Sequence, residues 1–282
     1  MKDVVTGVSP TGTFDDPRYA RLAVDSADVY QNAQPFPHIV VDDFLPEILA
    51  HDLSAAFPVE TDEGWIVRDN ADNRRRYQHD ESKIPQILRQ MLREFNSRQF
   101  VLFLETVTGI DNLFPDPYFI GGGVHVSEQG DFLNVHADFN WHHKLQAFRR
   151  VNALFFLPEE WHEDWGGANE LWSLDMSRPE VVTYPLFNRL LIFSTSEGSN
   201  HGQPVPNACP PGVYRKVLNL YYYTSARDDE QGVEPHFTLY KSADQPPDRD
   251  PKAAGWNTEA SPFAMSLGED YRRSAEESAS SD

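Results

Sequence analysis

Three residues of metal-binding types have a spacing that could form one site. His136 and Asp138 lie two positions apart in the segment FLNVHADF, which is typical of a β-strand. Because side chains alternate along a strand, both would lie on the same face. A third ligand must come from elsewhere, and His201, shortly after the strand-like segment RLLIFST, is the best candidate. A turn after that strand would direct its imidazole towards the pair.

Two imidazoles and one carboxylate on one face of an octahedral ion form the ligand set of non-haem Fe(II) oxygenases. This set leaves open positions at which a chelating 2-oxo acid and O2 can bind. An isolated His-X-Asp pair is weak evidence, since it also occurs by chance on surface strands. The β-type surroundings, the preceding Gly121–Gly123 and the later His201 favour a metal site. The sequence therefore predicts Fe(II) bound by His136, Asp138 and His201.

A cation that could bind a co-substrate is predicted at Arg215. An oxygenase that uses 2-oxoglutarate needs a fixed cation for the distal carboxylate, and an arginine can bind a carboxylate through two parallel hydrogen bonds. Arg215 opens the strand-like segment RKVLNLYYYT, in which alternation places Asn219 and Tyr221 on the same face. Without the metal ligands, a strand-end arginine in a surface ion pair would be the simpler interpretation.

Other polar residues near these segments have two interpretations. His142 and His143 follow the first metal motif, and they could contact a substrate or form part of a solvated loop. Arg74, Arg75 and Arg76 form a basic cluster in an acidic chain, in a segment predicted to be a loop between helices. This cluster is either a solvated loop or a lid that meets an anionic substrate.

Short β-type segments between residues 121 and about 224 would position the candidate residues. Clusters of Gly, Pro, Asn and Asp separate these segments, and their number and spacing predict a β-sandwich or barrel. Helices are predicted before them. One begins near Pro46, and a second helical stretch runs over about 85–109 with a break near Asn96 and Ser97.

The order of these segments predicts one mainly β domain with flanking N-terminal helices. It would span residues 35–227, with the β core at 119–227. Residues 1–34 are polar and interrupted by Gly and Pro, which predicts a loosely packed arm. Residues 228–282 predict a polar surface extension with at most a short docked piece around Phe263–Leu267.

Charge and composition exclude several classes of partner. The 24 Lys and Arg against 44 Asp and Glu give a formal net charge of -20, which disfavours nucleic acids and anionic membranes. Cys209 is the only cysteine, so an intrachain disulfide and cysteine-based zinc sites are excluded. The N-terminus lacks the pattern of a signal peptide, and no apolar run is long enough to cross a bilayer. We therefore expect a soluble, cytoplasmic protein that acts on a small molecule.

Five segments in order give the chain a resemblance to a known family. They are FPHIVVDDFLP, GDFLNVHADFN, VNALFFLPEEWHEDWGG, NRLLIFSTSEGSNHGQP and RKVLNLYYY. Between Phe36 and Thr224 the sequence resembles the prolyl 4-hydroxylase-like branch of the 2-oxoglutarate and Fe(II)-dependent oxygenases. The resemblance implies a double-stranded β-helix, a distorted jelly roll with the iron site inside its mouth. It also implies 2-oxoglutarate and O2 as co-substrates, with ascorbate to keep the iron reduced.

The resemblance assigns roles to particular residues. It implies that His136, Asp138 and His201 bind iron and that Arg215 binds the co-substrate carboxylate. Some members of the family hold 2-oxoglutarate with a tyrosine, where this chain has Ser127 and Phe156. Asn152, in the segment RVNALFFL, is the substitute candidate for a second co-substrate contact. Related halogenases have a small residue in place of the carboxylate, so Asp138 favours hydroxylation, with desaturation or ring closure as further outcomes of the same oxidant.

Several functions remain open at this point. The substrate could be an amino acid, a natural-product intermediate or a peptidyl proline, and the small single domain favours a small molecule. A jelly-roll binding protein without catalysis is an alternative from another class, as is a cupin-like metalloenzyme that uses O2 without 2-oxoglutarate. Formation of succinate from 2-oxoglutarate would distinguish the first possibility from the other two.

Overall fold

The computed structural model describes residues 9–59, 64–227 and 234–241. Four α-helices and fourteen strands lie in this part of the chain. The helices are α1 (Pro17–Gln31), α2 (Glu47–Ala55), α3 (Gln86–Phe95) and α4 (Arg98–Thr108). None of the helices in the described ranges has the length and apolar character needed to span a bilayer.

Local sequence signals explain where the helices begin and end. The Asp16 carboxylate accepts a hydrogen bond from the Arg18 N–H, and Pro17 occupies the first turn of α1. The Ser97 hydroxyl accepts from the Phe100 N–H at the start of α4. Gly109 ends α4 in the left-handed conformation, at a φ of 70°. The predicted break between α3 and α4 therefore coincides with the N-cap of α4 at Ser97.

The expectation of a loosely packed N-terminal arm is wrong for residues 9–31. Tyr19, Ala23 and Tyr30 are buried on one face of α1, which packs against α4. The Tyr30 hydroxyl lies 2.8 Å from the Ser194 hydroxyl. These aromatic and small residues recur at helical spacing, and the charged residues between them gave this segment its polar composition.

The strands form one antiparallel sheet that curls into a nearly closed barrel. They are β1 (His38–Val41), β2 (Ile66–Asp69), β3 (Asn73–Gln78), β4 (Phe114–Pro115), β5 (Gly123–Ser127), β6 (Phe132–Ala137), β7 (Trp141–His142), β8 (Ala147–Phe156), β9 (Asn169–Trp172), β10 (Pro179–Thr183), β11 (Arg189–Ser194), β12 (His201–Gln203), β13 (Arg215–Thr224) and β14 (Leu239–Tyr240). The principal order is β1-β11-β8-β13-β5-β3-β6-β12-β9-β10. The fold is mainly β with flanking helices, as the sequence predicted.

Alternation along β8 and β13 separates two environments. Phe155 of β8 and Leu218 and Tyr222 of β13 belong to the apolar core that the helices cover. Phe156 and Val217 belong to a smaller cluster inside the barrel. The helices therefore close one face of these strands, and the other face is left to line an interior cavity.

Two segments that were predicted to be irregular form strands of the sheet. The cluster Arg74–Arg76 was predicted to lie in a loop, but it lies in β3, which pairs with β2, β5 and β6. The C-terminal extension was predicted to be a surface tail, but β14 pairs with β6 so that Tyr240 lies opposite His136. The predicted docked piece at 263–267 lies outside the described residues.

Candidate active site

The pairing of β6 with β12 brings the three predicted ligands together. His136 and His201 are direct partners across this pair of strands, and their ring centroids are 4.5 Å apart. The donor atoms of His136, Asp138 and His201 all lie within 4.8 Å of one another, and the three side chains are buried. Asp138 follows β6 by one residue and turns its carboxylate to both rings.

The hydrogen bonds of the two imidazoles prepare them to bind a metal. His136 Nδ1 lies 2.8 Å from the Asn134 carbonyl oxygen, and His201 Nδ1 lies 2.9 Å from the Ser199 carbonyl oxygen. Because a carbonyl oxygen only accepts, each Nδ1 carries the proton and donates it. Each Nε2 lone pair is then directed towards Asp138. Burial, followed by the nearby His201, lowers the pKa of His136 and favours the neutral ring that a metal needs.

Asp138 stays ionised in spite of its burial. Burial alone would raise its pKa, but the charge of Arg149 outweighs this effect, and the pKa lies well below its usual range. Oδ2 accepts from Asn152 Nδ2 at 2.6 Å and from Arg149 Nη2 at 2.9 Å. A buried, oriented carboxylate between two neutral imidazoles fits a divalent ion such as Fe(II).

Arg149 belongs to the site, although no local pattern in the sequence indicates this role. Its guanidinium carbon lies 3.4 Å from the Tyr221 ring centroid, and its Nε donates to Asn152 Oδ1 at 2.8 Å. Strict alternation would place Arg149 on the helix-covered face with Val151. The β8–β13 register shifts between these two residues, which is a β-bulge that redirects the arginine inward.

Arg215, at the start of β13, is a buried cation. Its Nε donates to the Gly167 carbonyl oxygen at 2.8 Å, and its guanidinium lies 5.0 Å from the Phe156 ring centroid. Within the described ranges no carboxylate forms an ion pair with it. Burial and, to a smaller extent, the charge of Arg75 lower the pKa of Arg215 to about 9. A desolvated cation of this kind is suited to bind an anion that enters from outside.

One cavity of about 540 Å³ joins all the predicted site residues. His136, Asp138, Asn152, His201 and Arg215 line it. The amide of Asn152 is occupied by Asp138 and Arg149. This volume lies in the range of sites for small molecules.

The cavity also contains residues that sequence reasoning missed. Tyr240 forms part of the cavity wall beside the predicted metal ligand His136, and the two ring centroids are 5.6 Å apart. Its hydroxyl accepts from Asn73 Nδ2 at 2.8 Å. The pairing of β14 with β6 joins residues more than a hundred positions apart, and such a contact leaves no local pattern in the sequence.

Of the histidine pair that follows the first metal motif, His142 is buried with Asp116 at 3.4 Å, whereas His143 is exposed.

Comparison with known proteins identifies the class. Residues 122–223 match the family model of the 2OG-Fe(II) oxygenase superfamily. The chain therefore carries an oxygenase domain of this superfamily, whose cofactors are Fe(II) and 2-oxoglutarate. No curated protein matches the sequence closely enough to count as a relative.

Two solved structures share the fold. A prolyl hydroxylase from Trichoplax adhaerens, in complex with a peptide fragment of the hypoxia inducible factor oxygen degradation domain, is 18% identical with a TM-score of 0.54. The match covers 75% of this chain and 93% of that chain. A prolyl-4-hydroxylase from Pseudomonas putida is 17% identical with a TM-score of 0.50, covering 71% of this chain and 97% of that chain. The predicted double-stranded β-helix is thus confirmed.

Proposed function

We propose that this oxygenase hydroxylates an unactivated C–H bond of a small molecule, with release of succinate and CO2. His136, Asp138 and His201 hold Fe(II), and Arg215 binds the distal carboxylate of 2-oxoglutarate. One observation carries the proposal: a convergent set of two imidazoles and a carboxylate shares a cavity with a buried arginine that has no counter-charge among the described residues. Arg215 would have no evident purpose in a metal site that uses O2 alone.

Each residue of the candidate site has a defined role in this proposal. The Nδ1 hydrogen bonds to Asn134 and Ser199 fix both rings so that Nε2 is available to the metal. Asn152 and Arg149 occupy Oδ2 of Asp138, whereas Oδ1 lies 3.5 Å from His136 Nε2. The metal supplies the oxidising chemistry when it is bound with 2-oxoglutarate and O2. Arg215 orients the co-substrate, and the rings of Phe139, Phe237 and Tyr240 exclude water from the reacting carbon.

The cavity supports a small substrate. Phe237, Leu239 and Tyr240 of the C-terminal segment cover the side of the cavity next to β6. A volume of about 540 Å³ leaves room for a compact molecule beside 2-oxoglutarate. We infer that Asn152, which the sequence suggested as a co-substrate contact, instead positions Asp138, because its amide is already engaged there.

Succinate formation tests the proposal. Purified protein is supplied with Fe(II), ascorbate and 2-oxoglutarate in air, because enzymes of this class turn over slowly without substrate. We expect metal-dependent succinate that disappears in His136→Ala and persists in His162→Ala, a matched change at an exposed histidine paired with Glu160. Absence of both succinate and metal-dependent 2-oxoglutarate binding would favour a non-catalytic jelly roll. Consumption of O2 without succinate would favour a cupin-like enzyme.

A further inference from the structure

Strand β3 presents one arginine to the active-site cavity and its two neighbours to the opposite face. Arg74 Nε lies 3.3 Å from Asp131 Oδ1, and Arg76 Nη2 lies 3.5 Å from Glu128 Oε2. Arg75, between them, lines the cavity together with Tyr77. The alternation of the strand therefore separates two paired arginines from one that faces the site.

Arg75 forms no ion pair with any carboxylate in the part of the chain that the structure describes. The residue is half-buried, and its buried Nε has no hydrogen-bond partner among the described residues. Asp72 and Asp138 also line the cavity, but Asp138 is engaged by Arg149 and Asp72 makes no ion pair with Arg75. The chain has 44 acidic residues against 24 basic ones, so a shortage of carboxylates does not explain this cation.

The cavity thus contains two arginines whose charge is not compensated by the described residues. Arg75 and Arg215 are close enough that the charge of Arg75 contributes to the lowered pKa of Arg215, after burial. The charge of Arg75 also opposes the rise that burial causes in the pKa of Tyr221, another residue that lines the cavity. The distal carboxylate of 2-oxoglutarate would pair with Arg215. Arg75 is then available to bind a second anion.

We propose that Arg75 binds a carboxylate of the primary substrate, which is a small carboxylic acid with an apolar body. This inference rests on the proposed function, since it assigns Arg215 to the co-substrate. A guanidinium matches a carboxylate with two parallel hydrogen bonds. Tyr77, Phe139, Phe237 and Tyr240 provide apolar and aromatic surface in the same cavity. The carboxylate at Arg75 would fix one end of the molecule, and these rings would bind the rest.

Pairs of acids and amides provide the test. The panel contains free amino acids with aliphatic or aromatic side chains and their N-acetyl derivatives, each matched with its primary amide. Calorimetric titration measures the dissociation constants, with and without Co(II) and 2-oxoglutarate, so that the result does not depend on turnover. We expect at least one acid to bind about tenfold or more tightly than its amide.

Variants of β3 test whether Arg75 causes the preference for the acid over its amide. Arg75→Gln should abolish the preference for the acid, and Arg75→Lys should keep part of it because the charge remains. Arg74→Gln is the matched control, because its side chain pairs with Asp131 on the opposite face, and it should keep the full preference. The comparison of acid with amide in the wild-type protein remains decisive if Arg75→Gln does not fold.

Two results would overturn the proposal. One is a panel in which no acid binds more tightly than its amide. The other is a loss of 2-oxoglutarate affinity in Arg75→Gln as large as that in Arg215→Gln, which would assign Arg75 to the co-substrate. Failure of the proposed function gives a different result, because an enzyme without metal-dependent succinate formation could still prefer the acid at Arg75.

Discussion

The guanidinium of Arg149 lies 2.9 Å from the carboxylate of Asp138, between Nη2 and Oδ2, and both side chains are buried. Removing two charges from water is costly unless each is also hydrogen-bonded. Asn152 meets this need, because its amide bridges Asp138 and Arg149. The Tyr221 ring covers the guanidinium. The carboxylate that we propose as a metal ligand is therefore held by residues outside the proposed ligand set.

Replacing Arg149 by Gln should destabilise the protein and weaken metal binding. Asp138 would remain buried without its counter-charge, a change that usually costs about 3–5 kcal/mol. Urea unfolding of the metal-free protein measures this loss. Arg178→Gln is the control, since that arginine forms an exposed pair with Glu180 and should cost less than about 1 kcal/mol. If both variants unfolded with wild-type free energy, the network would have no structural role.

Asn152→Ala distinguishes a positioning residue from a co-substrate contact. A residue that orients a metal ligand typically contributes about 10- to 100-fold to metal affinity. We therefore expect Co(II) to bind more weakly, whereas 2-oxoglutarate should keep most of its affinity once Co(II) is saturating. Titrations of Co(II) and of 2-oxoglutarate give the two constants separately. The reverse pattern, with normal Co(II) affinity and weak 2-oxoglutarate binding, would mean that Asn152 contacts the co-substrate.

The ligand assignment predicts a matched set of histidine variants. His136→Ala and His201→Ala should each lower Co(II) affinity more than about 100-fold, because the remaining ligands hold the ion poorly. His162→Ala should bind Co(II) as the wild type does, since that side chain is exposed and pairs with Glu160. The visible absorption of Co(II) reports both its binding and its coordination. Wild-type affinity in His201→Ala would require another third ligand.

Alternation along strands accounts for the part of the site that the sequence predicted. His136 and Asp138 are two positions apart and share a site, and Arg215 lies on the cavity face of β13. Both inferences need only the local period of a strand. The predicted break between α3 and α4 similarly follows from the cap at Ser97.

Features that depend on long-range pairing were not predictable in this way. Arg149 faces the site because of a bulge that appears only when β8 pairs with β13. Strand β3 is short and rich in arginine, and it is stabilised by partners that lie about fifty residues further along the chain. Tyr240 reaches His136 through β14, in a segment whose composition is typical of a tail. The secondary-structure propensities of neighbouring residues contain no information on these long-range contacts.

Arg215 should show opposite effects on stability and on binding. Burial lowers its pKa to about 9, so the charged form is disfavoured in the ligand-free fold. Arg215→Met should therefore unfold at higher urea concentration than the wild type without ligand. Its dissociation constant for 2-oxoglutarate should rise about tenfold or more, because the carboxylate loses its partner. Adding 2-oxoglutarate should stabilise the wild type more than the variant, and equal stabilisation would contradict the assignment.

Asp131 should give the protein a measurable dependence of stability on pH. Burial raises the pKa of this carboxyl to about 6, against the hydrogen bond from the Glu128 N–H and the charge of Arg74. The folded state then binds the proton more tightly than the unfolded chain, whose aspartates titrate near about 3.9. Stability from this group is present at low pH and is lost as pH rises through about 6, by at most about 3 kcal/mol.

The variant Asp131→Asn isolates this contribution, because it is neutral at every pH. The free energy of unfolding of Asp131→Asn minus that of the wild type should increase between pH 5 and pH 7, as measured in urea. Asp175→Asn is the control, since hydrogen bonds from Ser173 and Ser177 lower the pKa of Asp175 to about 2 and it stays ionised throughout this range. Its difference from the wild type should be constant. A constant difference for Asp131→Asn as well would mean that its carboxyl titrates as it does in the unfolded chain.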